Sequence, residues 1–333
     1  MEFLFLIFLG QPLWMWLAFL LLVVALLAFD LGVLHRDQHE IGVRESLLMS
    51  GGYIALGLAF GAFVWVTLGA QSGLEYVTGF VVEKSLAMDN IFVIAMIFSY
   101  FAVPRLYQHR VLFWGIIGVV VLRAIMIGFG ATLVAQASWV LYVFAVFLLF
   151  TGIRMLVAKD HGDPDLGKNP VLLFVRRRFR VTETIENDRF VVTKPDPATG
   201  RPARYITPLF LALIMIEIAD VIFAVDSVPA IFAITTDPFI VYTSNIFAIL
   251  GLRALYFALA AMIHRFAYLK QALAALLIFI GGKVLVADML GIGKVPPLAS
   301  LGVTFAILGI GVAYSLWRTR KDGTMADAEK AGA

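Results

Sequence analysis

The chain has 333 residues, of which 61% are hydrophobic and only 15% charged, too little charge to cover the surface of a soluble domain. It contains no cysteine, which removes thiol redox relays, thiolate metal sites and disulfide frameworks together. The formal net charge of +3 says little about partners, because the basic residues are sorted along the chain.

Apolar runs of about 20 residues recur throughout, each long enough to cross a hydrocarbon core of roughly 30 Å. The start, MEFLFLIFLG, lacks the basic region of a cleaved signal peptide, so the apolar run continuing to Leu34 reads as a retained first helix. The predicted fold is all-α and polytopic, with about nine spans: 12–34, 46–69, 76–101, 110–134, 138–158, 208–235, 239–264, 269–290 and 297–317. Alternate connections hold Arg36 and Arg44, then Arg105 and Arg110, then ten basic residues between spans 5 and 6, then Arg265 and Lys270. The tail over 318–333 adds four more, whereas the opposite connections together hold only Lys294. Positive charge marks the cytoplasmic side, which predicts an outside N-terminus and a cytoplasmic C-terminus in a bacterial inner membrane. The cytoplasmic loop over 159–207 carries RRRFR at 176–180, a cluster expected to lie against anionic lipid headgroups, with partner docking as the alternative.

The chain also repeats itself. Leu148-Leu-Phe-Thr-Gly-Ile-Arg-Met-Leu-Val-Ala158 matches Leu277-Ile-Phe-Ile-Gly-Gly-Lys-Val-Leu-Val-Ala287, and each preceding span carries one central arginine, Arg123 or Arg253. One span earlier, Glu83-x5-Asp89 matches Asp220-x5-Asp226 in spacing. Spans 3–5 (about 76–158) therefore read as repeated in spans 6–8 (about 208–290). A three-helix unit repeated in tandem enters the membrane upside down, which is a transporter architecture.

Span 3 carries Glu83, Lys84, Asp89 and Asn90, and span 6 carries Glu217, Asp220, Asp226, Ser227 and Pro229. A charge at the bilayer centre costs about 2.5–3.5 kcal/mol on insertion scales, so five such acids must face one another, a base, water or an ion. Lys84, Arg123, Arg253 and Lys283 are available as structural counter-ions. Glu217 and Asp220 share a helix face at a spacing of three. Pro229 removes a backbone hydrogen bond, and a local break there is expected to turn Asp226 and freed carbonyls toward a cavity. Thr243, Ser244 and Asn245 add neutral oxygens, each more often an interhelical hydrogen bond than a ligand. Oxygen ligands without cysteine or a mid-membrane histidine suit Mn²⁺, Ca²⁺ or Mg²⁺ over Zn²⁺ or Cu⁺; His264 falls at a helix end.

The stretches EKSLAMDNIFV (83–93) and EIADVIFAVDSVPAIFAITTDPFIVYTSNIFAILGLRALYF (217–257) resemble the signatures of the TerC family of integral membrane proteins. FDLGVLHR at the end of span 1 and TETIENDRFVV in the loop extend the resemblance over nearly the whole chain. It implies a transporter-like bundle with a role in metal homeostasis, manganese export foremost. Its acidic positions would be Glu83, Asp89, Glu217, Asp220 and Asp226, with Asn90 beside them. An acid-lined cavity repels tellurite, so tellurium resistance, for which the family is named, is expected to be indirect.

The leading expectation is export of Mn²⁺, with Ca²⁺ as a second candidate, in exchange for protons and without a permanent cofactor. Asp89 and Asp226 would be primary ligands, and Glu83, Glu217 and Asp220 further ligands or proton carriers. The alternative is a membrane scaffold or metal-loading partner of secretion or stress complexes. Enzymatic activity is not expected, since no nucleophile–histidine pair lies at depth.

Overall fold

A computed structural model describes residues 2–29, 42–137, 139–157, 170–182, 184–195, 200–260, 269–289 and 295–331. Its helices are α1 Leu13–Phe29, α2 Val43–Leu68, α3 Ala70–Tyr100, α4 Arg105–Gln136, α5 Val140–Val157, α6 Pro170–Arg178, α7 Pro208–Phe232, α8 Pro238–Leu250, α9 Leu252–Ala260, α10 Leu269–Met289 and α11 Pro297–Ala331. Six described stretches are long and apolar enough to cross a membrane, on α2, α4, α5, α7, α8–α9 and the first half of α11, with shorter apolar helices at α1 and within α10. The 31 residues of α3 reach roughly 46 Å at 1.5 Å per residue, and the charges at Glu75, Glu83, Lys84 and Asp89 set it apart. The chain is therefore an all-α polytopic membrane protein, with a helix under each predicted span. Most of FDLGVLHR, the connections holding Arg36, Lys159, His264, Arg265 and Lys294, and the chain end at 332–333 lie outside the described residues.

Helix α8 is the centre of the bundle. Every residue from Phe239 to Leu250 is buried, as expected of a helix that is apolar on all sides. Aromatic rings from α1, α2 and α3 surround it: Trp16 meets Phe239 edge-on at 5.1 Å, and Phe60 lies 4.8 Å from Phe247. Its start is fixed by Asp237, whose Oδ1 accepts the Phe239 N–H at 2.8 Å while Oδ2 accepts Gln11 Nε2 at 2.9 Å. Its end is Gly251, where the chain turns into α9. There Lys84 of α3 donates to the Ala248 carbonyl at 3.0 Å, placing a cation on a helix C-terminus. A Cβ at position 251 would come within 2.7 Å of that ammonium, so glycine makes its approach possible.

Helices α5 and α10 cross at two glycines. A Cβ on Gly152 would meet the Ala274 carbonyl at 2.8 Å, and one on Gly281 would meet the Ala145 carbonyl at 2.6 Å. Gly152 also abuts Ile278, and Gly281 abuts Leu149. The contact is reciprocal, since residues 145, 149 and 152 meet residues 281, 278 and 274 at a constant offset of 129 between equivalents.

Helix α7 corrects one expectation. It runs unbroken through Pro229 to Phe232, with no kink needed to aim Asp226. The ring removes only the hydrogen bond to the Val225 carbonyl, and three residues later the helix ends anyway. Among the described membrane helices the interruption falls instead at Gly251, between α8 and α9.

The described part of the 159–207 loop is folded. Strands β3 Val191–Pro195 and β4 Pro202–Ile206 form an antiparallel hairpin, after the N-terminal pair β1 Ile7–Phe8 and β2 Gln11–Pro12. Leu172, Val175 and Ile206 are buried in one apolar cluster with Ile97, Phe98, Leu112 and Leu209 at the bundle end. Asp188 accepts a hydrogen bond from Arg110 of α4, whose guanidinium also lies 5.6 Å from the Phe190 ring centre. Replacing 178–205 by a neutral linker is therefore expected to lower the melting temperature of the whole bundle in detergent, whatever the loop binds. Exchanging Arg176, Arg177 and Arg178 for glutamine spares that cluster and is the cleaner probe. These three end α6, whose Leu172 and Val175 are buried while Leu173, Phe174 and Phe179 beside them are exposed. The expected result is weaker binding of the purified protein to anionic lipid, read by native mass spectrometry, with an unchanged melting temperature.

Candidate cation site at the centre of the bundle

Four helices meet at one side chain. Arg123 of α4 is 1% exposed and donates Nε and Nη2 to the two oxygens of Asp220 on α7, at 3.1 and 3.0 Å. Its Nη1 donates to Glu83 Oε1 of α3 at 2.5 Å, to Ser227 Oγ of α7 at 2.8 Å and to Asn245 Oδ1 of α8 at 3.1 Å. The planar fork of a guanidinium matches a carboxylate edge, which is why arginine and not lysine can grip Asp220 by both oxygens.

Arginine leaves some of these groups incomplete. Glu83 is 1% exposed, and its second oxygen, Oε2, is buried without a hydrogen-bond partner. The buried Oδ1 of Asn90, two turns along α3, is likewise unpartnered. Buried polar atoms are nearly always bonded, so two orphan oxygens need an explanation. Both residues line a cavity of about 80 Å³ together with Arg123, Asp226, Ser227 and an apolar wall that includes Leu86, Met155 and Leu277. Asp226 is half-buried and accepts a long hydrogen bond, 3.4 Å, from Thr151 of α5.

The other candidates fall elsewhere. Asp89 lies on α3, but its side chain is outside the described residues. Glu217, one turn before Asp220, does not line the cavity; its carboxyl packs against Gly118 of α4, and its Oε2 is buried without a partner. Lys84 serves the end of α8, and Lys283 donates to Ser300 Oγ of α11 at 3.0 Å. Arg253 is buried at the start of α9. Thr243 and Ser244 donate to carbonyls of their own helix. Thr151 was not singled out from the sequence, and an isolated threonine near a span centre gives no signal that could have found it. Among the described residues no three acidic or histidine side chains close a metal site alone.

The profile of the integral membrane protein TerC family matches residues 68–323, which takes in α3 to α10, most of α11 and all of these side chains. The chain belongs to the TerC family. It is 44% identical over 323 residues to a membrane protein of Myxococcus xanthus, covering 96% of this chain and 98% of the relative. A Rickettsia bellii membrane protein is 45% identical over 303 residues, covering 91% and 97%. Alx of Salmonella typhi, named a membrane-bound redox modulator, is 46% identical over 317 residues, covering 92% and 95%. No solved structure matches the chain. Within the TerC-family chain, the signature around 83–93 and the one around 217–257 thus meet through Arg123.

Proposed function

We propose that this TerC-family protein carries a divalent cation across the membrane through the cavity between Glu83, Asn90, Asp226 and Ser227. The observation that supports this most is the pair of buried, unpartnered oxygens, Glu83 Oε2 and Asn90 Oδ1, on one small cavity. Arg123 occupies only one oxygen of Glu83, holding that carboxylate still while leaving the other for a ligand. Charge supports the same reading. Glu83, Asp220 and Asp226 set three carboxylates against one guanidinium, leaving two negative charges that a divalent ion neutralises. Two protons neutralise them equally, which gives metal–proton exchange a physical basis at a depth where net charge is costly. Asp89, one position before Asn90, is a further ligand candidate.

Carboxylate, amide and hydroxyl oxygens favour hard ions, and the family resemblance puts Mn²⁺ first, with Ca²⁺ second. The direction is export from the cytoplasm of a bacterial inner membrane, with the basic connections inside. The reciprocal crossing of α5 and α10 supports an inverted repeat and alternating access between its halves. With no cysteine in the chain, an influence on cellular redox state like that named for Alx does not run through thiols of this chain, and the ion moved offers a route for it. The scaffold reading is less favoured, because Leu172, Val175 and Ile206 of the loop are buried against its own bundle and the exposed Leu173, Phe174 and Phe179 stand beside the arginines assigned to lipid.

The test is metal uptake into proteoliposomes with a fluorescent interior reporter, comparing Mn²⁺, Ca²⁺, Mg²⁺ and Zn²⁺. Wild type is expected to pass Mn²⁺, and Asp226→Asn, which breaks no ion pair found here, to fold normally while flux drops to background. Asp89→Asn is expected to do the same if its carboxyl joins the site. A folded wild type that passes none of the four metals, with or without a pH gradient, sinks the transporter reading.

A further inference from the structure

A second, larger cavity of about 690 Å³ opens between the first turns of α3, α5 and α11 and the last turns of α7 and α10. This is the end of the bundle opposite Arg105, Arg110 and the hairpin. Its lining includes Glu75, Lys283 and Ser300. Glu75 is 8% exposed and accepts Gln71 Nε2 at 2.9 Å. It is the only carboxylate among the described lining residues, and it stands two i+4 steps before Glu83 on α3.

One apolar layer separates the two cavities. Val82, Ala230, Leu277 and Ile280 are buried in it. Leu277 also faces the small cavity, while Ala233 and Ile234, packed on the same layer, face the large one. Along α3 the change from Thr78, on the large cavity, to Glu83, on the small one, takes five residues, roughly 7.5 Å of rise. Toward the other end the fill is thicker: Asn90 is ten residues, roughly 15 Å, from the end of α3. Ile94, Ile97, Phe98, Met215 and Tyr256 occupy that depth.

We infer that the large cavity is the outward exit chamber for the ion held at Glu83 and Asn90, and that Val82, Ala230, Leu277 and Ile280 form the gate between them. The assignment of an ion to the chamber rests on the cation reading of the central site. On this account the structure is an occluded state, one thin layer from the outside and a thick one from the cytoplasm. Glu75 and Lys283 make the chamber polar with balanced charge, suited to rehydrating a departing divalent cation and not to holding it.

The absence of cysteine makes the native chain a ready background for thiol labelling. Single Ile234→Cys and Ala87→Cys variants straddle the layer, Ala87 lining the small cavity. Each is reconstituted as the full chain and exposed, from one side at a time, to a membrane-impermeant trimethylammonium methanethiosulfonate. Ile234→Cys is expected to react from the side opposite the basic connections. Ala87→Cys is expected to react from that side at least about tenfold more slowly, as for a gate open about a tenth of the time or less. Adding Val82→Ala should narrow the difference. Equal rates at the two cysteines, or reaction of Ile234→Cys only from the basic side, overturn the proposal. None of these readouts uses metal flux. A labelling contrast in a protein that passes no metal would refute the cation reading and leave the chamber and gate in place.

Discussion

Replacing Arg123 with alanine is expected to cost about 3–5 kcal/mol, enough to lose most of the folded protein, because it leaves Glu83 and Asp220 as buried charges without a counter-ion. The measurement is the thermal midpoint of monodisperse protein in detergent. Arg123→Lys should recover part of the loss, since one ammonium supplies charge but cannot grip both oxygens of Asp220 and still reach Glu83, Ser227 and Asn245. The triple variant Arg123→Met, Glu83→Gln, Asp220→Asn separates charge from shape. With Arg123 and both of its carboxylate partners replaced by neutral side chains, it should be markedly more stable than Arg123→Ala although it differs from wild type at three positions. A triple variant no more stable than Arg123→Ala would show that the arginine acts through packing, and the electrostatic account of the centre would be wrong.

The second large effect is expected at the crossing of α5 and α10. Lipid gives helices little hydrophobic reason to associate, so close backbone approach at small residues supplies much of the attraction. Gly281→Ala places a methyl 2.6 Å from the Ala145 carbonyl, a backbone atom that cannot swing aside, and overpacking of this kind costs about 1–3 kcal/mol. Gly281→Val should exceed that and abolish a monodisperse elution peak. Gly309→Ala on α11 is the matched control, because nothing lies within 4 Å of a Cβ built there. If Gly281→Ala and Gly309→Ala melt together, the crossing does not hold the bundle.

Much of this was legible in the sequence because a membrane writes plainly. Apolar runs mark helices, and any charge within one must be answered by a partner or a purpose. That logic singled out Glu83, Asp220, Asp226 and Arg123, which the structure gathers around one guanidinium and one cavity. Spacing was a poorer guide to what each acid touches. Glu217 and Asp220 do share a face of α7, yet Asp220 meets Arg123 while Glu217 meets Gly118, more than a turn away along α4. Nothing in the spacing of α7 could reveal which residue of α4 stands opposite. Pro229 misled for a related reason. A proline signals a lost hydrogen bond wherever it stands, but its effect depends on how much helix follows, and here only three residues do. Glu75 escaped notice because it sits where a span meets water, a position at which an acid is ordinary. Only the cavity beside it makes it worth naming.

The links through Arg123 also bear on the order in which the protein is made. Glu83 and Arg123 are 40 residues apart, so the α3–α4 hairpin can leave the translocon as a neutral ion pair while the rest is still on the ribosome. Asp220 follows Arg123 by 97 residues and takes up the half of the guanidinium left waiting for it. Asn245 completes the set later still. The first half of the chain thus enters lipid with Arg123 already paired and carries unspent donors, on Arg123 and on Lys84, that the second half satisfies. A nascent chain that stalls after α5 is expected to persist in the membrane, while one whose second half misinserts keeps a buried arginine with idle N–H groups, a defect that membrane quality control can detect.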